Sequence, residues 1–186
     1  MIGLILLVVV VAAIAMWLAG MYNGLVRLRN QVKNAWAQID VQLKRRHDLI
    51  PNLVETVKGY AGHEKETLES VIRARGAAVS AGGGGAAAQG QAESALSGAL
   101  GRLMLVVEKY PELKANQNFL ALQEELTSTE NKIGFSRQHY NDSVMTYNTR
   151  TQTVPTNLIA GMFDFTAEEF FELEDEAARK APQVKF

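Results

Sequence analysis

Residues 22–58, YNGLVRLRNQVKNAWAQIDVQLKRRHDLIPNLVETVK, read as one long amphipathic helix. Leu25, Val32, Ile39 and Leu53 share one heptad position, and Trp36, Leu43, Ile50 and Val57 share a second, four residues on. The apolar stripe therefore repeats at the helical period, and a stripe this narrow needs partner helices to cover it. Arg27, Lys33, Asn34, Gln38, Lys44, Arg45 and Asp48 make the opposite face, suited to solvent or to lipid headgroups. Arg46 falls on the apolar stripe, between Ile39 and Leu53.

N-terminal to this stretch, residues 2–21 hold no charged side chain and are rich in Leu, Val, Ile and Ala. About 20 residues rising about 1.5 Å each span a hydrocarbon core of roughly 30 Å, so the run is a transmembrane helix candidate. Ala13-Ile14-Ala15 would suit a signal-peptide cleavage site, but no Lys or Arg precedes the run and the apolar character continues beyond it, so an uncleaved anchor is expected. Trp17 and Tyr22 lie near its end, where amphipathic rings either sit at the water interface or pack on a neighbouring helix. Arg27, Arg29 and Lys33 follow within reach of anionic headgroups. With the basic residues on the C-terminal side, the positive-inside rule puts the N-terminus outside and the rest in the cytoplasm, a single-pass arrangement.

C-terminal to it, Gly59 and Gly62 mark a turn, and a helical pattern resumes through Leu68, Val71, Ile72 and Val79. SAGGGGAAAQGQ is low in complexity, and residues 82–90 read as a flexible Gly-rich loop. No Gly-Lys-Ser/Thr follows, so it is not a phosphate loop. The pattern returns with Leu96, Leu100, Leu103 and Val107 and stops at Tyr110-Pro111. The two pieces together match the length of the first helix, which suggests one returning arm with a loop thrown out of it. Residues 112–150 form a third arm, with Phe119, Leu126, Ile133, Tyr140 and Tyr147 spaced by seven. After Val154-Pro155, LIAGMFDF reads as an apolar connection, and Thr166-Ala-Glu-Glu as a capping box opening a short acidic helix over 167–180. The expected fold is all-α: a transmembrane helix (1–21) continuous with a long antiparallel, coiled-coil-like helical bundle (22–186) of three long arms plus a short C-terminal helix.

The totals agree with that architecture. In 186 residues the charged side chains balance to −1, which disfavours a dedicated nucleic-acid binder, and there is no cysteine to supply a disulfide, thiol nucleophile or zinc ligand. His63-Glu64 begins like a zinc-protease motif, but Thr67 stands where the second His is required. No Glu has a His three residues on, as bundle di-metal sites require. His47, beside Arg46 and Asp48, reads as a solvated-face residue and His139 as a flank of the third arm. No catalytic, metal or cofactor constellation emerges. What emerges is a structural problem: Arg46 and Arg137 interrupt the apolar stripes, and Glu130, seven residues before Arg137, is the acidic candidate for a network with both. Either the guanidiniums pair internally and fix helix register, or their stems pack and their heads reach water.

YNGLVRLRNQVKNAWAQIDVQLKRRHDLIPNLVETVKGYAGHE at 22–64, ETLESVIRAR after it, YPELKANQNFLALQEELTSTENKIGFSRQHYNDSVMTYN at 110–148, and the Pro155-x-Asn157 turn together resemble the LemA family of bacterial membrane proteins. The resemblance covers most of the chain, the glycine stretch excepted. It implies a membrane-anchored antiparallel bundle of the bacterial inner membrane without known enzymatic activity; members are encoded near membrane proteases or envelope proteins, and magnetosome-associated relatives bear on membrane shape. Two functional expectations follow. One is a non-enzymatic scaffold that self-associates as a homo-oligomer and organises or remodels membrane lipids. The other is an adaptor or regulator of a membrane protease or envelope signalling partner, docking through Phe163, Phe165, Phe170 and Phe171. An enzyme would need a water-open pocket lined by Arg46, Glu130 and Arg137.

Overall fold

The computed structural model describes residues 1–172. Its elements are α1 (Ile2–Lys58), α2 (Lys65–Ala81), α3 (Ala86–Val107), α4 (Pro111–Lys114), α5 (Gln117–Gln152) and α6 (Thr156–Met162), with no strand among the described residues. α1 passes without a break from the apolar run into the amphipathic stretch and continues through Pro51. Two compact units result: Met1–Gln38 with Gln138–Glu168, and Ile39–Arg137 with Glu169–Glu172.

In the first unit, residues 1–20 are exposed along their whole length. From Leu25 onward the heptad stripe is covered: Leu25, Val32 and Ala35 are buried, as are Tyr140, Val144 and Tyr147 of α5. Trp36 and Tyr140 hold the antiparallel pair at one level, ring centroids 5.3 Å apart. Beyond α5, the peptide before Pro155 is cis. The apolar connection expected over 158–165 is instead largely helical, as α6, and buries Thr156, Ile159 and Ala160.

The second unit is a four-helix bundle, antiparallel at each step along the chain. Its core joins Ile50, Leu53 and Val57 of α1 to Leu68 and Val71 of α2, Leu96 and Leu103 of α3, and Phe119 and Leu126 of α5. Fully burying one such side chain stabilises by about 1.5–3 kcal/mol, so the joined stripes of these helices hold the unit together. α5 begins with a side-chain cap, Asn116 Oδ1 accepting from the Phe119 amide at 3.0 Å, while Asn116 Nδ2 donates to Tyr60 Oη at 2.9 Å.

Three expectations change. The middle arm is not one broken rod: Gln89 Nε2 donates to the Ala78 carbonyl and Arg102 to Ser70 Oγ, so α2 and α3 lie antiparallel as a hairpin. The flexible loop expected over 82–90 shrinks to 82–85, because α3 starts at Ala86 and buries Ala86, Gln89 and Gly90. Alanine and glutamine favour helix once a partner surface covers them, and Gly85, at φ +92°, makes the reversal that a side chain would resist. Finally, residues 166–172 are not helical, so the capping box opens no helix there; the rest of the expected acidic helix, 173–180, lies outside the described residues.

Candidate functional site

The first unit concentrates aromatic and basic groups just past the end of the apolar run. Tyr22 packs edge-on against Phe163 and Phe165, at centroid distances of 4.9 and 5.6 Å. The Arg29 guanidinium carbon stands 4.8 Å from the centre of the Phe165 ring, a cation–π contact. Asp164, at φ 53°, makes this turn possible: it follows α6 in the left-handed region, and the Phe165 amide donates back to the Ala160 carbonyl at 3.0 Å. That is the bond pattern of a Schellman cap, with an aspartate where glycine is usual. Asn148 of α5 then fixes the next residues, donating to the Glu168 carbonyl and accepting from its amide, each at 2.9 Å. Tyr147 lies buried beside them; burial raises its phenol pKa above the usual 10, Glu168 adds to the rise and Arg29 opposes it.

Trp17 is exposed on the apolar run, and Arg27 and Lys33 are exposed on α1 beyond it. Arg29, expected among the same outward groups, is instead half-buried over Phe165. Of the four aromatic residues expected to form one docking surface, Phe163 and Phe170 are exposed. Phe165 and Phe171 are buried, each covering its own unit, and cannot present a face to a partner as they stand.

The second unit carries a buried polar network around Arg46. Its Nη1 lies 3.4 Å from Glu93 Oε2 and 3.2 Å from Glu130 Oε2, and its Nη2 donates to Ser97 Oγ at 2.6 Å. Glu93 is fully enclosed: Oε1 also receives His47 Nε2 at 2.8 Å and Gln89 Nε2 at 2.9 Å. Arg75 of α2 donates from Nε to the His47 carbonyl at 2.7 Å, tying the fourth helix in. Ion pairs at this depth need their lone pairs and protons occupied to offset desolvation; both Glu93 oxygens are occupied, whereas Arg46 Nε and Gln89 Oε1 are buried without a partner among the described residues. Arg137 is half-buried further along α5 and makes no ion pair with Glu130 among the described residues. A cleft of about 370 Å³ runs beside the network, lined by Arg46, Ser97, Glu130 and apolar residues of α3 and α5, without Arg137. Among the described residues no three His, Asp or Glu side chains converge as metal ligands. Through Arg46 the network links α1 to α3 and α5.

Sequence reasoning found Arg46 and Glu130 but missed Glu93, Gln89, Ser97 and His47. A signal existed: running the α3 stripe back from Val107, Leu103 and Leu96 by threes and fours lands on Glu93 and Gln89. The glycine-rich composition hid it. His47, read as a solvated-face residue from its neighbours Arg46 and Asp48, is buried, because a bundle of four helices covers the wider arc of α1 that includes it.

Known proteins resemble this chain along most of its length. It is 27% identical over 176 residues to magnetosome protein MamQ 2 of Paramagnetospirillum magneticum, covering 81% of this chain and 64% of that protein. Magnetosome protein MamQ of Magnetospirillum gryphiswaldense matches at 27% over 174 residues, with the same two shares. Protein LemA of Metamycoplasma hominis matches at 26% over 156 residues, 84% of this chain and 71% of its own. The chain thus spans somewhat under two-thirds of the length of the MamQ proteins. With an apolar N-terminal helix of membrane-spanning length, it is a membrane-associated helical protein. The LemA family model matches residues 35–186, most of the first long block and all of the second, and the chain belongs to the LemA family.

Proposed function

We propose that this protein is a single-pass, non-enzymatic scaffold of the bacterial inner membrane, its N-terminus outside and its bundle in the cytoplasm, whose copies associate laterally and organise the bilayer. The observation that carries the reading is the unbroken passage of α1 from an exposed apolar span, residues 2–20, into a stripe buried against α5. A helix continuous through the interface transmits orientation, so the first unit cannot swivel freely on its anchor. Lateral surfaces are available as well: Ile72 and Val79, seven apart on α2, are both about half exposed, a heptad pair with room for a second helix. Arg27 and Lys33 supply basic groups for anionic headgroups, and their position after the span supports the cytoplasmic orientation. Likeness to proteins named for the magnetosome supports a role at a membrane.

The test is the mass of the full chain, purified in detergent and reconstituted in nanodiscs, over a wide concentration range. Oligomers that dissociate on Ile72→Glu with Val79→Glu support lateral assembly. A monomer at every concentration removes it. A protease or envelope partner, the second reading, would have to be read separately at Phe163 and at Phe170, the two of the four expected phenylalanines that are exposed.

A further inference from the structure

Resting on the anchor just described, we propose that α6 and the residue after it form a second membrane contact, with Leu158, Met162 and Phe163 entering the interfacial layer of the bilayer that α1 crosses. Leu158 and Met162 are one helical turn apart and therefore share a face, and with Phe163 they are 65%, 74% and 53% exposed. The other face of α6, through Thr156, Ile159 and Ala160, is buried. This short helix has an apolar outside as well as an apolar inside. Water alone would not favour that pattern.

Depth is set by Tyr22. It is the first residue after the apolar run, so its ring belongs where the span meets the headgroups. Phe163 touches that ring at 4.9 Å and so lies at the same level. Phe165, two residues on, also meets the Tyr22 ring at 5.6 Å and packs under the half-buried guanidinium of Arg29, seven residues further along α1. Between Ser143 and Phe163 the only charged residue is Arg150, in the last turn of α5, and its sign suits anionic phosphates. Short apolar elements with a basic group nearby bind the interface without crossing it, and Asp164, directly after Phe163, marks where the chain returns to water. A second copy of the chain could cover the same face, but nothing would then require it to sit at the end of the span.

The chain has no cysteine, so single cysteines can be introduced and labelled without background. Full-length protein in liposomes carries bimane at Leu158→Cys, Met162→Cys, Val9→Cys within the apolar run, or Met145→Cys, an exposed apolar position on α5. Quenching is read with brominated phosphatidylcholine and with aqueous iodide. Labels at 158 and 162 should be quenched by brominated lipid roughly threefold more than at 145, and protected from iodide. Iodide quenching equal to that at 145 would overturn the proposal, and so would protection from both quenchers, which would mean a protein cover. Val9 separates the two readings: lipid quenching at 9 without it at 158 and 162 removes this contact alone, whereas no lipid quenching at 9 removes the anchor too.

Discussion

Arg46 of α1 and Glu93 of α3 meet inside the four-helix unit, Nη1 to Oε2 at 3.4 Å, with 2% and 1% of their side chains exposed. Removing one member leaves the other charged, buried and unpaired, so Glu93→Ala should cost about 3–5 kcal/mol of unfolding free energy. Arg46→Met with Glu93→Leu should recover most of that loss, because two apolar side chains need no partners, although His47 still loses its carboxylate. Glu130→Gln should cost less than about 1 kcal/mol, since Glu130 is 47% exposed and solvent screens its pair with Arg46. Urea unfolding of these three variants and of Arg46→Met and Glu93→Leu singly, followed by circular dichroism in detergent, checks this. Strictly additive single and double variants would mean that the two residues are not coupled.

The parts of the fold that sequence made legible are those carried by apolar periodicity over many turns. The heptads of α1 and α5 run far enough that tertiary context could not overrule them, and Leu25, Ile39, Leu53, Phe119, Ile133 and Tyr147 are all buried. Legibility failed where a short signal competed with composition. Residues 86–90 look like linker, yet helix is favoured there by packing on α2, a long-range effect. The same gap hid the network, because Gln89 lies inside the stretch read as loop and Glu93 just after it. Thr166-Ala-Glu-Glu failed for the opposite reason: a local capping pattern yields to tertiary bonds, here those of Asn148 with the Glu168 backbone.

Gly90 discriminates between local helix preference and tertiary docking. A Cβ built there would stand 2.1 Å from the Glu172 carbonyl oxygen, and the obstacle is backbone, which cannot rotate away. Alanine in a helix interior ordinarily gains about 1 kcal/mol over glycine. Gly90→Ala should instead lower stability by about 1–3 kcal/mol and free the segment that buries Phe171. Limited proteolysis should then cut faster within 166–172. A variant more stable than the parent would show that this segment does not lie on α3.

Tyr147 predicts an alkaline loss of stability. Its pKa is raised in the folded protein, chiefly by burial, so the folded state holds the phenol proton to higher pH than the unfolded chain does. The stabilisation is complete below about pH 10, the unfolded value, and falls as pH rises from there through the folded value. Tyr147→Phe should flatten this part of the stability–pH curve while leaving neutral behaviour close to the parent's. Parallel curves for parent and variant above pH 10 would rule out Tyr147 as the group concerned.

Asp164 should be a site where one substitution stabilises and another destabilises through the backbone alone. At φ 53° a residue with a Cβ is strained by roughly 1–2 kcal/mol, aspartate less than most because its side chain tolerates this region, and glycine not at all. Asp164→Gly should therefore raise stability, by up to about 1 kcal/mol, and keep the Phe165 amide on the Ala160 carbonyl. Asp164→Val, β-branched, should lower it by about 1–2 kcal/mol, because the cap must open for the side chain to fit. Opening the cap withdraws Phe165 from Tyr22 and Arg29, so the fluorescence of Trp17 and Trp36 in the same unit should change with valine and not with glycine. If glycine destabilises as much as valine, the carboxylate of Asp164 is what holds the turn, and the cap must be explained by that side chain's bonds rather than by backbone strain.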